Sequence, residues 1–131
     1  MNFGILIEEA YEAKKQSYAP YSGFHVGAAL LALDGEIYRG CNIENAAYSP
    51  TNCAERTAFF KAVSEGKREF AAIAIVGDKR EFLAPCGVCR QVMSEFCDAK
   101  QFKIILAGSK TEYEIYTLEE LLPKSFSKDN L

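Results

Sequence analysis

The chain has 131 residues and a formal net charge of -3, with no basic run that would collect the phosphates of a nucleic-acid backbone, so a nucleic-acid partner is not expected. Its 49% hydrophobic content suffices for one domain over residues 1-131, with roughly two-thirds of the unfolded surface buried at this size. It has no apolar run of about 18 residues to span a bilayer, and Met1 to Ala13 lacks the features of a signal peptide, so a cytoplasmic protein without membrane partners is expected.

Phe3 to Tyr18 predicts an amphipathic helix ending before Pro20, with apolar side chains at Ile5, Leu6, Ala10, Tyr11 and Ala13. His25 to Leu33 and Ile37 to Ile43 read as strands of a hairpin, because Asp34-Gly35 suits a turn whose two positions both need positive φ. Ala54 to Val63 predicts a helix with an apolar stripe of Ala58, Phe59, Ala62 and Val63, with Asn52 as N-cap and Gly66 as stop. Ala71 to Val76 is a continuous apolar run, the pattern of a strand covered on both faces. Cys86 to Phe96 predicts a second short helix, and Lys103 to Ala107 and Tyr113 to Thr117 predict two further strands, the latter at an edge. Thr117 to Leu122 reads as a final helix stopped by Pro123, followed by a tail anchored by Phe126 and Leu131. The order strand, helix, strand, helix, strand implies two crossover units. The expected class is therefore α/β, a three-layer α/β/α arrangement around a mixed five-stranded sheet.

Five cysteines, an odd number, argue against a disulfide framework and for metal or thiol chemistry. Cys53-Ala54-Glu55 and Pro85-Cys86-Gly87-Val88-Cys89 both fall where a helix begins beyond a strand, so two helix N-termini can converge at one sheet edge. Cys86 and Cys89 share a helix face, and Cys53 joins from the other helix. Three thiolates leave a tetrahedral zinc ion one open position, the mark of a catalytic site. Glu55 stands beside that position to move the protons of a water as it attacks an amidine-like carbon. Three thiolates also leave the metal net negative, and Arg56, three residues after Cys53, can return to the sulfurs and offset that charge.

Plainer readings exist for each feature. Glu55 stands three residues after Asn52 and fits a capping box. Cys86 and Cys89 alone fit a thioredoxin-like redox pair. Cys41 or Cys97, otherwise small buried residues, would close a structural site and make the chain a non-catalytic zinc-binding module. The single histidine, His25, falls in a predicted strand as a structural residue.

Beyond these cysteines, the segments Ala19-Pro20-Tyr21-Ser22-Gly23-Phe24-His25-Val26-Gly27-Ala28-Ala29, Gly40-Cys41-Asn42-Ile43-Glu44-Asn45-Ala46-Ala47-Tyr48-Ser49 and Pro85-Cys86-Gly87-Val88-Cys89-Arg90-Gln91 stand in a family's order and spacing. Over almost its whole length the chain resembles the small, homotetrameric, three-cysteine cytidine deaminases, whose zinc signature has a Cys₃ form. The resemblance implies hydrolysis of cytidine, and of deoxycytidine, in pyrimidine salvage. It implies one zinc ion per subunit on Cys53, Cys86 and Cys89, with Glu55 shuttling protons. Asn42 and Glu44 would bond the ribose hydroxyls and Phe24 would pack beside the nucleoside. The Ala54 amide would meet the pyrimidine O2 and the Ala84 carbonyl would orient the exocyclic amine; many relatives carry serine at 84. Tyr48 and Phe126 would complete pockets of neighbouring subunits in a homotetramer with shared active sites. A deaminase of a modified aminonucleoside is the alternative within the same chemistry; a nucleic-acid editor would need a basic strand-binding face.

Overall fold

The computed structural model describes Asn2 to Leu131. Helix α1 (Phe3–Lys14) is followed by the antiparallel pair β1 (Gly27–Ala32) and β2 (Ile37–Cys41). Then come α2 (Ala54–Ser64), β3 (Phe70–Val76), α3 (Gly87–Phe96), β4 (Lys103–Ala107), β5 (Tyr113–Thr117), α4 (Leu118–Leu121) and a 3₁₀ turn at Lys128–Asn130. The sheet runs β2-β1-β3-β4-β5, and only β3 and β4 are parallel neighbours. Both expected crossovers exist, but the first, through α2, steps over β1, and the second, through α3, joins neighbours.

Alternation along the strands splits the core between the faces. Ile73 and Ile75 of β3 and Ile104 and Leu106 of β4 pack with Ala58, Phe59, Ala62 and Met93 under α2 and α3. Ala72, Ala74, Val76, Ile105 and Ala107 point the other way, to Leu6, Ile7 and Ala10 of α1. The result is the α/β/α layering the element order implied, with β3 apolar throughout and β4 apolar after Lys103 because both faces are covered.

Several boundaries depart from the sequence reading. The first helix ends at Lys14, not Tyr18, because the chain after it is taken up in pairing: the Tyr18 amide donates to Asn42 O at 3.0 Å and the Glu44 amide to Tyr18 O at 2.9 Å. Ile5 faces out, 52% exposed, and Ile7 takes its place in the buried stripe. Only Gly35 has positive φ in the hairpin turn, where its amide donates to Ala32 O at 3.0 Å. Gly66 (φ +96°) does end α2, its amide reaching Val63 O and that of Lys67 reaching Ala62 O, both at 3.0 Å.

Gly40 fixes where α2 lies. A Cβ there would sit 2.3 Å from Ala54 O and 2.5 Å from Ala58 N, so only glycine lets the first turn of α2 rest on β2. No helix among the described residues is long and apolar enough to cross a membrane.

Candidate metal centre and active site

Both helices on the α2/α3 face begin with a cysteine. Cys53 is the N-cap of α2 and Cys86 the N-cap of α3, each extended in backbone and each without a side-chain capping bond. Cys89 lies one turn into α3, buried. The three sulfurs all lie within 4.8 Å of one another, and those of Cys53 and Cys86 are 3.8 Å apart. A tetrahedral ion with metal–sulfur bonds of about 2.3 Å sets its sulfurs about 3.8 Å apart, so this donor set fits zinc. Among the described residues no fourth ligand atom joins the group. Cys97 lies at the opposite end of α3 and Cys41 at the end of β2; both are half-buried rather than fully buried.

Glu55 sits in the first turn of α2, 5% exposed. Burial, with the neighbouring Cys53 charge, pushes its carboxyl up to about 7. Asn52 does not cap the helix as the sequence suggested. Its backbone pairs with Ile43 through two 2.9 Å bonds and its side chain donates to Thr57 Oγ1 at 3.2 Å, so the helix starts one residue later. The capping-box account of Glu55 falls with it.

Arg56 does turn back to the sulfurs, its Nη2 donating to Cys53 Sγ at 3.3 Å, while its Nε is buried with no partner. The Cys89 thiol, followed by Arg56 and Cys86, bonds to Cys53 and pulls it down to about 5, whereas that same bond and burial push Cys89 up.

The segment carrying Asn42 and Glu44 is set beside Cys53 by the Ile43–Asn52 pairing. The Asn42 Nδ2 donates to Phe24 O at 2.9 Å, and its Oδ1 accepts from the Val26 amide at 2.9 Å and from the Ser17 hydroxyl. Glu44 Oε1 accepts from the Tyr21 and Ser22 amides at 2.9 and 3.0 Å, and Oε2 from the Ser22 hydroxyl. The Ser22 bonds, side chain first, hold the Glu44 carboxyl below its usual range. A groove of about 330 Å³ beside Glu44 is lined by Tyr21, Ser22, Asn45, Tyr48 and Thr51.

Phe24 is half-buried, its ring lying over Gly77 beside Leu83. Ala54 is buried under β2, and Ala84 is exposed before the buried Pro85. Tyr48 (82% exposed) lies on the groove, but Phe126 (64% exposed) does not; its carbonyl accepts from Gln91 Nε2 at 2.8 Å on α3. His25 precedes β1 instead of lying in it, its amide held by Asp78 Oδ2 at 2.6 Å. The sequence reading assigned nothing to Ser17 and Ser22, which orient Asn42 and Glu44; their only signal was position within the Ala19–Ala29 segment for Ser22, and Ser17 had none.

Two helix N-termini presenting three sulfurs and a buried carboxylate at one end of an α/β/α sandwich define a zinc-dependent hydrolytic enzyme. Residues 5–105 match the family described as "Cytidine and deoxycytidylate deaminase zinc-binding region". The chain belongs to this family. It is 57% identical over its whole length to the cytidine deaminase of Sporosarcina psychrophila, covering 96% of that protein. It is 50% identical, again over its whole length, to that of Halalkalibacterium halodurans, covering 98% of it. Among solved structures, the cytidine deaminase of Burkholderia pseudomallei superimposes with a TM-score of 0.91 at 47% identity, covering 96% of this chain and 100% of that one. The cytidine deaminase of Mycobacterium tuberculosis gives 0.84 at 35%, covering 96% and 98%.

Proposed function

We propose that this chain hydrolyses cytidine, and deoxycytidine, to uridine or deoxyuridine and ammonia. The observation that carries the reading is the gathering of three sulfurs within 4.8 Å, with no fourth protein ligand, beside the buried Glu55. Cys53, Cys86 and Cys89 hold one zinc ion per subunit, and residues 1-131 act as one catalytic domain. When bound, zinc supplies the Lewis acidity that activates water for attack at C4 of the pyrimidine.

Glu55 takes the proton of the attacking water, delivers it to ring N3 and passes the next to the departing amine; a carboxyl raised to about 7 can both accept and return a proton near neutral pH. Arg56 offsets the negative charge on the sulfurs through its bond to Cys53. The Ala54 amide binds the pyrimidine O2, the Ala84 carbonyl orients the exocyclic amine, and Phe24 packs beside the base. Glu44 accepts from sugar hydroxyls and repels a phosphate at the same place, which favours nucleosides over nucleotides. Asn42 has both oxygen lone pairs and one amide hydrogen engaged, leaving its second amide hydrogen for a sugar hydroxyl.

The exposure of Tyr48 and Phe126 supports a homotetramer in which neighbouring subunits complete each site. Free cysteines and a three-thiolate metal site suit the reducing cytoplasm and a role in pyrimidine salvage. An ultraviolet assay of zinc-loaded protein against cytidine, deoxycytidine, cytosine and the monophosphates tests the reading. Turnover of the two nucleosides alone is expected; a zinc-loaded protein that leaves cytidine unchanged overturns it. Light scattering reads the assembly.

A further inference from the structure

Arg90 lies in α3, one residue after Cys89, and its side chain runs back past the start of its own helix. Its Nε donates to Pro85 O and its Nη1 to Leu121 O, each at 2.7 Å. Its backbone amide donates to Cys86 O at 3.0 Å. The Pro85 and Cys86 carbonyls belong to the two peptide planes that flank Cys86. The first-turn helix bond holds the plane after Cys86, as it would with any residue at 90, and the Arg90 side chain holds the plane before it, from which the Cys86 sulfur is aimed. Pro85 adds its own fixed φ. Cys86 is otherwise exposed and its sulfur makes no capping bond. Among the described residues Arg90 pairs with no carboxylate, so the half-buried guanidinium is spent on carbonyls alone.

The second arm reaches the C-terminal segment. Leu121 O is the last carbonyl of α4, and the next residue of α3, Gln91, holds Phe126 O. The helix that carries two of the sulfurs therefore also fastens the chain from Leu121 to Phe126.

We propose that Arg90 is a positioning residue that aims Cys86 and couples the metal loop to the C-terminal segment. The proposal rests on the reading of Cys86 as a zinc ligand. A planar fork can grip two carbonyls at once and a lysine ammonium on a flexible stem cannot hold the same geometry, so Arg90→Lys serves as the mild variant beside Arg90→Ala. Arg68 is the control. It also holds two carbonyls, Val63 O and Lys67 O at 2.8 Å each, though from Nη1 alone and on an exposed side chain, at the far end of α2.

Zinc release to excess chelator should be faster by about tenfold or more in both Arg90 variants, the usual scale for groups that orient metal ligands. The sulfur-to-metal absorption of the cobalt-substituted protein should shift, kcat for cytidine should fall with KM changed less than about twofold, and amide exchange should rise across 122–131. Arg68→Ala should lower the melting temperature and leave zinc release and the cobalt spectrum unchanged. Wild-type zinc release and cobalt absorption in Arg90→Lys, the variant retained should Arg90→Ala not fold, overturn the proposal. So do effects of Arg68→Ala equal to those at Arg90. A wild-type protein that takes up no metal overturns instead the reading beneath it.

Discussion

A methyl group added at Gly40 asks whether the sheet sets the geometry of the site. In Gly40→Ala the new Cβ would lie 2.3 Å from Ala54 O, 2.5 Å from Ala58 N and 2.9 Å from Ala58 Cβ. Two of those atoms are backbone and cannot rotate away. Ordinary contact begins at 3.4 Å, so the first turn of α2 must retreat by about 1 Å, the difference between 3.4 and 2.3 Å. That turn holds Cys53 at its cap and Glu55 within it. Overpacking of this kind costs about 1–3 kcal/mol of stability. A misplacement of about 1 Å at reacting groups can cost about a hundredfold in rate, or about 2.7 kcal/mol of transition-state stabilisation. Thermal melting and kcat for cytidine per zinc-loaded chain read the two losses separately. Gly66→Ala, at the other end of the same helix, strains a positive φ with no atom within 4 Å, so it should cost about 1 kcal/mol of stability and nothing in kcat. A Gly40→Ala enzyme with wild-type turnover, or a Gly66→Ala enzyme equally impaired, would refute the reasoning.

Glu55→Gln keeps shape and burial but removes the proton carrier, so zinc content should stay at one per chain while kcat falls by about 10²- to 10⁴-fold; retention of most activity would remove Glu55 from the chemistry. The Glu44 pKa is depressed in the folded chain by the Ser22 bonds, so the docking of residues 21–22 on Glu44 is fully present above the ordinary value of about 4.3 and is lost as pH falls through the depressed folded value. Tyr21 and Ser22 amide signals should follow that acid titration, and Ser22→Ala should move its midpoint up; signals flat across the titration would break the link. Cys53→Ser replaces a sulfur that makes no cap bond with an oxygen that can accept one, so the metal-free protein should gain up to about 1 kcal/mol while zinc affinity collapses. Chelator-treated melting curves and metal titration measure both, and a serine variant that binds zinc as tightly as the wild type would contradict the ligand assignment.

The elements themselves were legible where periodicity and punctuation act locally: α2 from its apolar stripe to Gly66, and β3 from its unbroken apolar run. The strand ends were not. His25 and Ile43 look strand-like, but the Asn42 side chain takes the Val26 amide and the Phe24 carbonyl, so regular pairing stops short of them. The insertion of β1 between β2 and β3 leaves no local trace, since it depends on which faces α1 and α2 choose to cover. In the site, Cys53 with Glu55 and Arg56, and Cys86 with Cys89, were readable because each group lies within one helical turn; that the two groups meet was inferred from their metal-ligating chemistry, since 33 residues separate Cys53 from Cys86. Ser22 donating to Glu44 and Arg90 to Leu121 were invisible, because each pair is joined only by tertiary folding across more than twenty residues.

The helix caps separate scaffold from site. Asn2 caps α1, Thr117 caps α4 and Ser127 caps the 3₁₀ turn, each accepting a backbone amide through a side-chain oxygen. Only α2 and α3 begin with cysteine and lack such a bond. Each forgoes about 1 kcal/mol that serine or aspartate would supply, so the sequence departs from helix-capping preference at the two places where the sulfurs converge. The same unpaired amides and positive helix ends that a neutral thiol leaves unsatisfied stabilise a thiolate. Deprotonation of the ligands is therefore made easier by the helices that lose most from having thiols at their caps. A cation that binds those thiolates would complete both helix ends at once, so uptake of the metal would be linked to the stability of the two helix starts.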